Sequence, residues 1–287
     1  MNNPLISVVI VVWNRKEEVI KAIESVLSQE HKNIEIIIVD NHSTDGTYEE
    51  LITKYNNFSN VKIIRTHRNL GCPCARNIGM ANASGEIIFS LDDDAEMEKD
   101  CLIKVIDTFL KFPNAVVVAC KIIEENSKRK QPEKMTKTNL FIGAGFAIRK
   151  EILEKIGYFP DYFRQGEETY LALKILDNNW DIIYNPECVV YHHISQKNRV
   201  KYDIVYYGFK HDLENIFRLL PLYYAVPVSL YKIFLHFRNY FKNGFILKYP
   251  IDVIRVFFNG ILKSHTEKEK IKFSTFLKFR KLGKGLL

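Results

Sequence analysis

A chain of 287 residues, 47% of them hydrophobic, is long enough for one large α/β domain with an appended region. No stretch reaches the roughly 18 consecutive apolar residues of a membrane-spanning helix, because the longest candidate, 219–231, carries Pro221 and Pro227 and stops at Lys232. The net charge of +7 hides a division: residues 196–287 hold 18 Lys and Arg against 6 Asp and Glu, a net +12, and the remainder carries −5.

Met1-Asn2-Asn3-Pro4 has no basic n-region, so no leader is expected. Ile6–Val12 is β-branched, nearly unbroken and too short for a typical helix, which predicts a parallel strand buried on both faces. Trp13-Asn14-Arg15 ends it, and over 16–29 Val19, Ile20, Ile23, Val26 and Leu27 recur at helical spacing. Residues 34–39 predict a second buried strand ending in Asp40. Asn41-His42-Ser43-Thr44-Asp45-Gly46 is turn and cap chemistry before a short helix at Thr47–Tyr55. A third strand at 61–64, a turn at Asn69-Leu70-Gly71, a helix over 72–83 and a strand at 86–89 complete a βαβαβαβ alternation. Its short connections predict a mostly parallel sheet flanked by helices, in which ligands sit at the carboxyl ends of strands. Asn14, Asp40 and Asp92 all fall at such ends. Asp40 by itself reads equally as a turn former.

The fourth strand runs into Ser90-Leu91-Asp92-Asp93-Asp94-Ala95-Glu96. Three adjacent carboxylates repel one another, and a divalent cation removes that objection, because hard oxygen ligands suit Mg²⁺ or Mn²⁺. Side chains alternate on a strand, so Asp92 and Asp94 share a face and Asp93 points away. The other reading is a solvated acidic turn ahead of the helix at 101–112. A strand follows at Ala115–Ile123, and the polar, lysine-rich 124–138 reads as a mobile loop or lid. Gly143 and Gly145 mark a strand entry where backbone can approach a ligand, and Lys150–Ile156 predicts a short helix.

Gln165-Gly166-Glu167-Glu168 opens the next helix. Its apolar stripe at 168, 171, 172, 175 and 176 puts Glu168 at the start of the buried face, with Glu167 about 100° around. A partly desolvated carboxylate has a raised pKa, which suits a general base. Two acids in a first helical turn equally complement the helix dipole. Strands at 181–184 and 187–191 close on His192-His193, either packing residues or a metal ligand beside the acidic run. Five cysteines, an odd number, imply reduced thiols in a cytosolic compartment, and Cys72-Pro73-Cys74 lacks the spacing of a metal site.

Taken in order, Ser7–Arg15, Val39–Thr47, Asn69–Gly79 with Ala75-Arg76-Asn77, Leu91–Asp94, Gly143–Arg149 and Gly166-Glu167-Glu168 resemble the family 2 glycosyltransferases of GT-A fold, over roughly residues 5–195. The resemblance implies an inverting, metal-dependent hexosyltransferase-type enzyme. Its catalytic domain spans 1–195, with a nucleotide-sugar half to about 95 and an acceptor half from about 96. It implies that Asp40 accepts a hydrogen bond from a pyrimidine imide, and that Trp13, Asn14, Arg15 and Arg76 hold the nucleotide of a UDP- or dTDP-sugar. Asp92 and Asp94 correspond to the acidic signature for Mn²⁺ or Mg²⁺, Asp93 to a ribose or sugar contact, and His192 to a third ligand. Glu168 corresponds to the base, beside Glu167, and here the chain departs from the family's Glu-Asp. One more methylene shifts the carboxylate's reach by about a bond length, a distance that matters to catalysis.

Residues 196–287 hold 19 of the 34 Phe and Tyr residues. Over 202–220 and 229–245, aromatic and aliphatic residues mix with Lys and Arg at helical spacing. This suits either an anionic membrane surface, and with it a lipid-linked acceptor, or a helical cap on the catalytic domain. Nucleic acid is not an expected partner, because the basic residues are interleaved with aliphatics. The expected function is sugar transfer to a glycan or lipid-linked hydroxyl in cell-surface polysaccharide synthesis, by a cytoplasmic protein peripheral on the inner face of the membrane. The alternatives are a non-catalytic nucleotide-sugar binding module and a nucleotidyltransferase. The latter wants a glycine-rich phosphate loop, and Trp13-Asn14-Arg15-Lys16 contains no glycine.

Overall fold

The structure is a computed structural model that describes residues 3–125, 127, 130–195, 197, 200–265 and 270–283. In chain order its first half contains β1 (Ile6–Val12), α1 (Lys16–Leu27), β2 (Ile34–Asp40), α2 (Thr47–Tyr55), β3 (Val61–Arg65), α3 (Cys72–Ala81), β4 (Ile87–Asp92), β5 (Ala95–Met97) and α4 (Cys101–Lys111). There follow β6 (Ala115–Ile123), β7 (Thr136–Thr138), β8 (Gly145–Arg149), α5 (Lys150–Ile156), α6 (Glu167–Asp177) and β9 (Asp181–His192). The last described residues form four helices: α7 (Lys201–Leu219), α8 (Leu222–Lys242), α9 (Tyr249–Lys263) and α10 (Phe273–Gly283).

One sheet takes the order β3-β2-β1-β4-β8-β6-β9-β5, with β7 on β9. Strands β1, β2, β3, β4, β6 and β9 run the same way, and β8 lies antiparallel between β4 and β6. The parallel majority follows from strands that are apolar on both sides. In β1, Val8, Ile10 and Val12 pack with α1 and α4 on one face, while Val9 meets α3 and α6 on the other. Each such buried side chain contributes about 1.5–3 kcal/mol, which isolated propensity cannot supply. The register brings the strand exits level: Val12 lies beside Asp40, and Val11 beside Asp92.

Three expectations differ in detail. The two strands at 181–184 and 187–191 are one, β9, whose pairing with β6 shifts between Cys120 and Lys121, where Pro186 interrupts the ladder. In the expected mobile loop 124–138, residues 126, 128 and 129 lie outside the described residues. Within the described part, Thr136–Thr138 form β7, and the Gln131 side chain donates to Ile122 O (2.6 Å) and accepts from Ile122 N (3.2 Å). The expected tail helices are α7 and α8, but α7 is a buried element. Its Val205, Phe209 and Leu213 pack against Tyr240, Tyr249 and Val256, and its Ile216, Phe217 and Leu219 against Tyr170 and Leu173 of α6.

Candidate active site

The level strand exits place a cleft of about 170 Å³ at the carboxyl edge of the sheet. Trp13, Arg15, Asp92, Asp93 and Asp94 line it, together with Asn69, Cys72, Phe163 and Arg164. Phe163 and Arg164 lie in the connection before α6, and no periodicity in that stretch signals them.

The carboxylates of 92–94 are divided between two arginines. Arg15 Nη1 sits 2.7 Å from Asp93 Oδ1 and 3.0 Å from Asp94 Oδ2. Arg76 Nη2 sits 2.7 Å from Asp92 Oδ1, and its Nη1 lies 3.4 Å from Glu167 Oε1. Burial pushes the Asp93 carboxyl up to about 7 despite Arg15. Asp94 is also buried, but His192, Arg15 and the Ser195 N–H hold it below the usual carboxylate range.

His192 ends β9 opposite Ala95, and its Nδ1 lies 3.0 Å from Glu124 Oε1. Its Nε2 is buried, lies 3.2 Å from Asp94 Oδ1 and is in hydrogen-bond geometry with no group. Burial works to lower this imidazole's pKa, and Asp94, Asp92 and Glu124 raise it to about 9. Asp92, Asp94 and His192 each present one ligand atom, all within 4.8 Å of one another. Two carboxylates and one imidazole, whose buried Nε2 is aimed among them, fit a hard divalent cation. His193 faces the other way and pairs with Glu96 in a largely exposed contact.

Asp40 is fully buried and does not line the cleft, whereas its neighbour Asn41 does. Both Asp40 oxygens accept from Ser43 N at 3.2 Å, with Arg65 Nε 3.3 Å away; burial raises its pKa against these partners. Asn14, with φ of 55°, ties the first loop to the next, accepting from Thr44 N at 2.8 Å while its own N–H donates to Ser43 Oγ at 2.9 Å.

Behind Asp92 sit the two glutamates. Glu168 is partly buried, as its place at the start of the apolar stripe predicts, but Glu167, expected about 100° around from that face, is the more deeply buried of the two. The physical reason is that α6 is covered twice. Leu171, Ala172 and Ile175 face the sheet, and Tyr170 and Leu173 face the C-terminal helices, so the buried arc is wider than one amphipathic stripe. Glu168 Oε1 accepts from Gly143 N at 3.0 Å, and a Cβ at Gly143 would meet that oxygen at 2.9 Å and the Arg76 guanidinium at 3.1 Å. Burial pushes both glutamates above the usual range, Glu167 further through the charge of Glu168, while Arg76 pulls each back.

The turn carrying these glutamates is held from α7. Gln165 and Gly166 both have left-handed φ (61° and 89°), and a Cβ on Gly166 would lie 2.8 Å from His211 Cβ. His211 Nδ1 donates toward the carbonyl oxygens of Arg164 (2.7 Å) and Gln165 (2.8 Å), with its ring stacked on Tyr162 at 4.0 Å. Asn215 donates to Gly166 O at 2.8 Å and accepts from Tyr162 OH at 2.9 Å. Burial lowers the His211 pKa to about 4. The one signal in the sequence is that His211 and Asn215, four apart, share a helix face.

Residues 7–170 match the profile described as Glycosyl transferase family 2. Glycosyltransferase AglE of Haloferax volcanii is 24% identical over 204 residues, covering 66% of this chain and 67% of that protein. The chain spans only 31% and 44% of the next two curated relatives. Among solved structures, Staphylococcus aureus TarS 1–349 in complex with UDP-GlcNAc superposes with a TM-score of 0.65 at 21% identity, over 89% of this chain and 79% of that one. The mannosyltransferase PcManGT of Pyrobaculum calidifontis, in complex with GDP-Man and Mn²⁺, gives 0.62 at 17% identity, over 98% and 80%.

Proposed function

The chain belongs to glycosyl transferase family 2, and from that premise we propose that it transfers a sugar from a UDP- or dTDP-sugar, with inversion, to a hydroxyl of a glycan or lipid-linked acceptor in cell-surface polysaccharide synthesis. The observation that carries this reading is the meeting of Asp92, Asp94 and His192 within 4.8 Å at the cleft edge, with Arg76 linking the same Asp92 to the glutamates behind it.

Asp92, Asp94 and His192 would hold Mn²⁺ or Mg²⁺, which supplies a Lewis acid for the charge developing on the departing diphosphate. Trp13 and Arg15 wall the donor side, and Asp93 stands beside Arg15 for a ribose or sugar contact. Asp40 stiffens the base of this pocket through Ser43, and its role toward a pyrimidine rests on the family resemblance. Glu168 is the proposed base: its raised pKa suits removal of a proton from an acceptor hydroxyl, and Gly143 N–H fixes its orientation. Glu167 keeps Arg76 in place. A lipid-linked acceptor would present its hydroxyl at the inner face of the membrane, where the net +12 of residues 196–287 suits anionic lipid.

Glu168→Gln tests the assignment. UDP with Mn²⁺ should still raise the melting temperature, while release of UDP from a UDP-sugar in the presence of acceptor falls by roughly 10²–10⁴. Unchanged turnover would remove Glu168 as the base. Donor binding with no turnover even in the wild type would favour a binding module, the reading that the Glu-Glu pair itself invites.

A further inference from the structure

Helices α8 and α9 each have two apolar stripes, and only one of the two is covered. The inward stripes, Ala225, Ser229 and Tyr240 of α8 and Tyr249, Val256 and Gly260 of α9, are buried. On the far side of α8, Tyr223, Pro227, Leu230, Phe234, Phe237 and Phe241 are exposed, Phe234 by 74% and Phe241 by 67%. At 100° per residue they fall within about 40° of one line. On α9 and the turn before it, Leu247, Ile251, Ile254, Phe258 and Leu262 do the same, with Leu247 90% and Leu262 73% exposed. A soluble helix puts polar residues on its outer face, and these two put their largest apolar ones there.

The charges around the stripes identify what covers them. From Leu222 to Lys263 there are six Lys and Arg and one acid, Asp252, which is buried against the Tyr202 and Tyr240 hydroxyls. Arg238, Lys242, Lys248 and Arg255 are exposed, within about 100° of the stripe on their own helix. A two-fold partner would set this basic surface against its own copy, whereas an anionic bilayer offers both an apolar layer and the opposite charge. No helix among the described residues is long and apolar enough to cross a membrane, so the contact is in the interface plane. We propose that α8 and α9 dock the protein on anionic lipid bilayers, Phe234, Phe241 and Phe258 entering the headgroup boundary and the flanking Lys and Arg facing the lipid phosphates. This names the membrane partner of the reading above and does not require turnover, so it stands or falls separately from the transfer chemistry.

Flotation of the full chain with vesicles of phosphatidylcholine containing about a third phosphatidylglycerol tests it. The protein should float with these vesicles, stay behind with phosphatidylcholine alone, and lose binding at high salt. The combined variant Phe234→Ser, Phe241→Ser, Phe258→Ser changes only exposed positions. It should bind about tenfold or more weakly, with the melting shift by UDP and Mn²⁺ unchanged. Lys242→Glu with Arg255→Glu should remove the preference for phosphatidylglycerol. The proposal is overturned if the wild type fails to float with anionic vesicles or if the serine variant floats as well as the wild type. Light scattering that shows a wild-type dimer dissociated by the serine variant would overturn it too, by assigning the face to a second copy.

Discussion

Arg76 concentrates the electrostatics of the site in one guanidinium. It is 2% exposed and lies between Asp92 and Glu167, with Glu168 close by. Removing one partner of a buried ion pair leaves the others uncompensated, and here three carboxylates would be left. Arg76→Met should therefore cost about 3–5 kcal/mol in urea denaturation at neutral pH. That deficit should be largest above about pH 8 and shrink as pH falls through it, because Glu167, pushed up to about 8 in the fold, then takes up a proton and no longer needs the guanidinium. Arg76→Lys keeps the charge but not the two-pronged geometry and should lie between. Asp92→Asn or Asp94→Asn should leave the fold intact and abolish the effect of Mn²⁺ on donor binding; titration by Mn²⁺ like the wild type in both would remove the metal from this site.

At the scale of elements, α6 and α7 act as one unit, the second holding the turn that presents the glutamates of the first. If that clamp sets the base, His211→Ala should lower kcat about tenfold while the UDP affinity stays constant, and His211→Gln, which can still donate to the 164–165 carbonyls, should recover part of the loss. A change in UDP affinity alone would mean the clamp serves the donor pocket. The same residue gives a pH signature. Burial holds His211 near 4 in the fold, so its contribution to stability is complete above about pH 6.5 and is lost as pH falls toward 4, where the unfolded chain has already taken up its proton. Wild type should lose on the order of 2–3 kcal/mol more than His211→Gln across that window. These contacts also mark where sequence reading stops. The period of α6 was legible, and so was an acid pair at its start. Which acid is buried was not, because that depends on α7 covering the second side, and nothing within eleven residues of helix encodes a partner some 40 residues downstream.

For the molecule as a whole, the strands that build the cleft are the ones a sequence states most plainly. Apolar runs in β1, β2 and β4 end in Asn14, Asp40 and Asp92, and parallel pairing brings those ends level. Strand β8, short and with glycine at its entry, has no such signature for running the other way; its direction is set by the neighbours it separates. The charge division near residue 195 was equally plain, but charge is a surface property and does not report where packing ends. Across that line Lys272 N and Thr275 Oγ1 donate to Asp177 Oδ1, and Asn139 Nδ2 to Phe279 O, while Phe279 packs against the core on the α6 side of the sheet. A chain ending at Ser195 would expose Tyr170 and Leu173 and free the 165–168 turn. At about 1.5–3 kcal/mol for each, these two side chains alone take away an amount comparable with the lower end of a typical domain's stability. Such a chain should be insoluble, or expanded with dye-binding apolar surface and no fixed near-ultraviolet dichroism. A compact fragment with a cooperative melt and intact UDP binding would instead make residues 196–287 a separable appendage, and α7 a passenger on the active site rather than part of it.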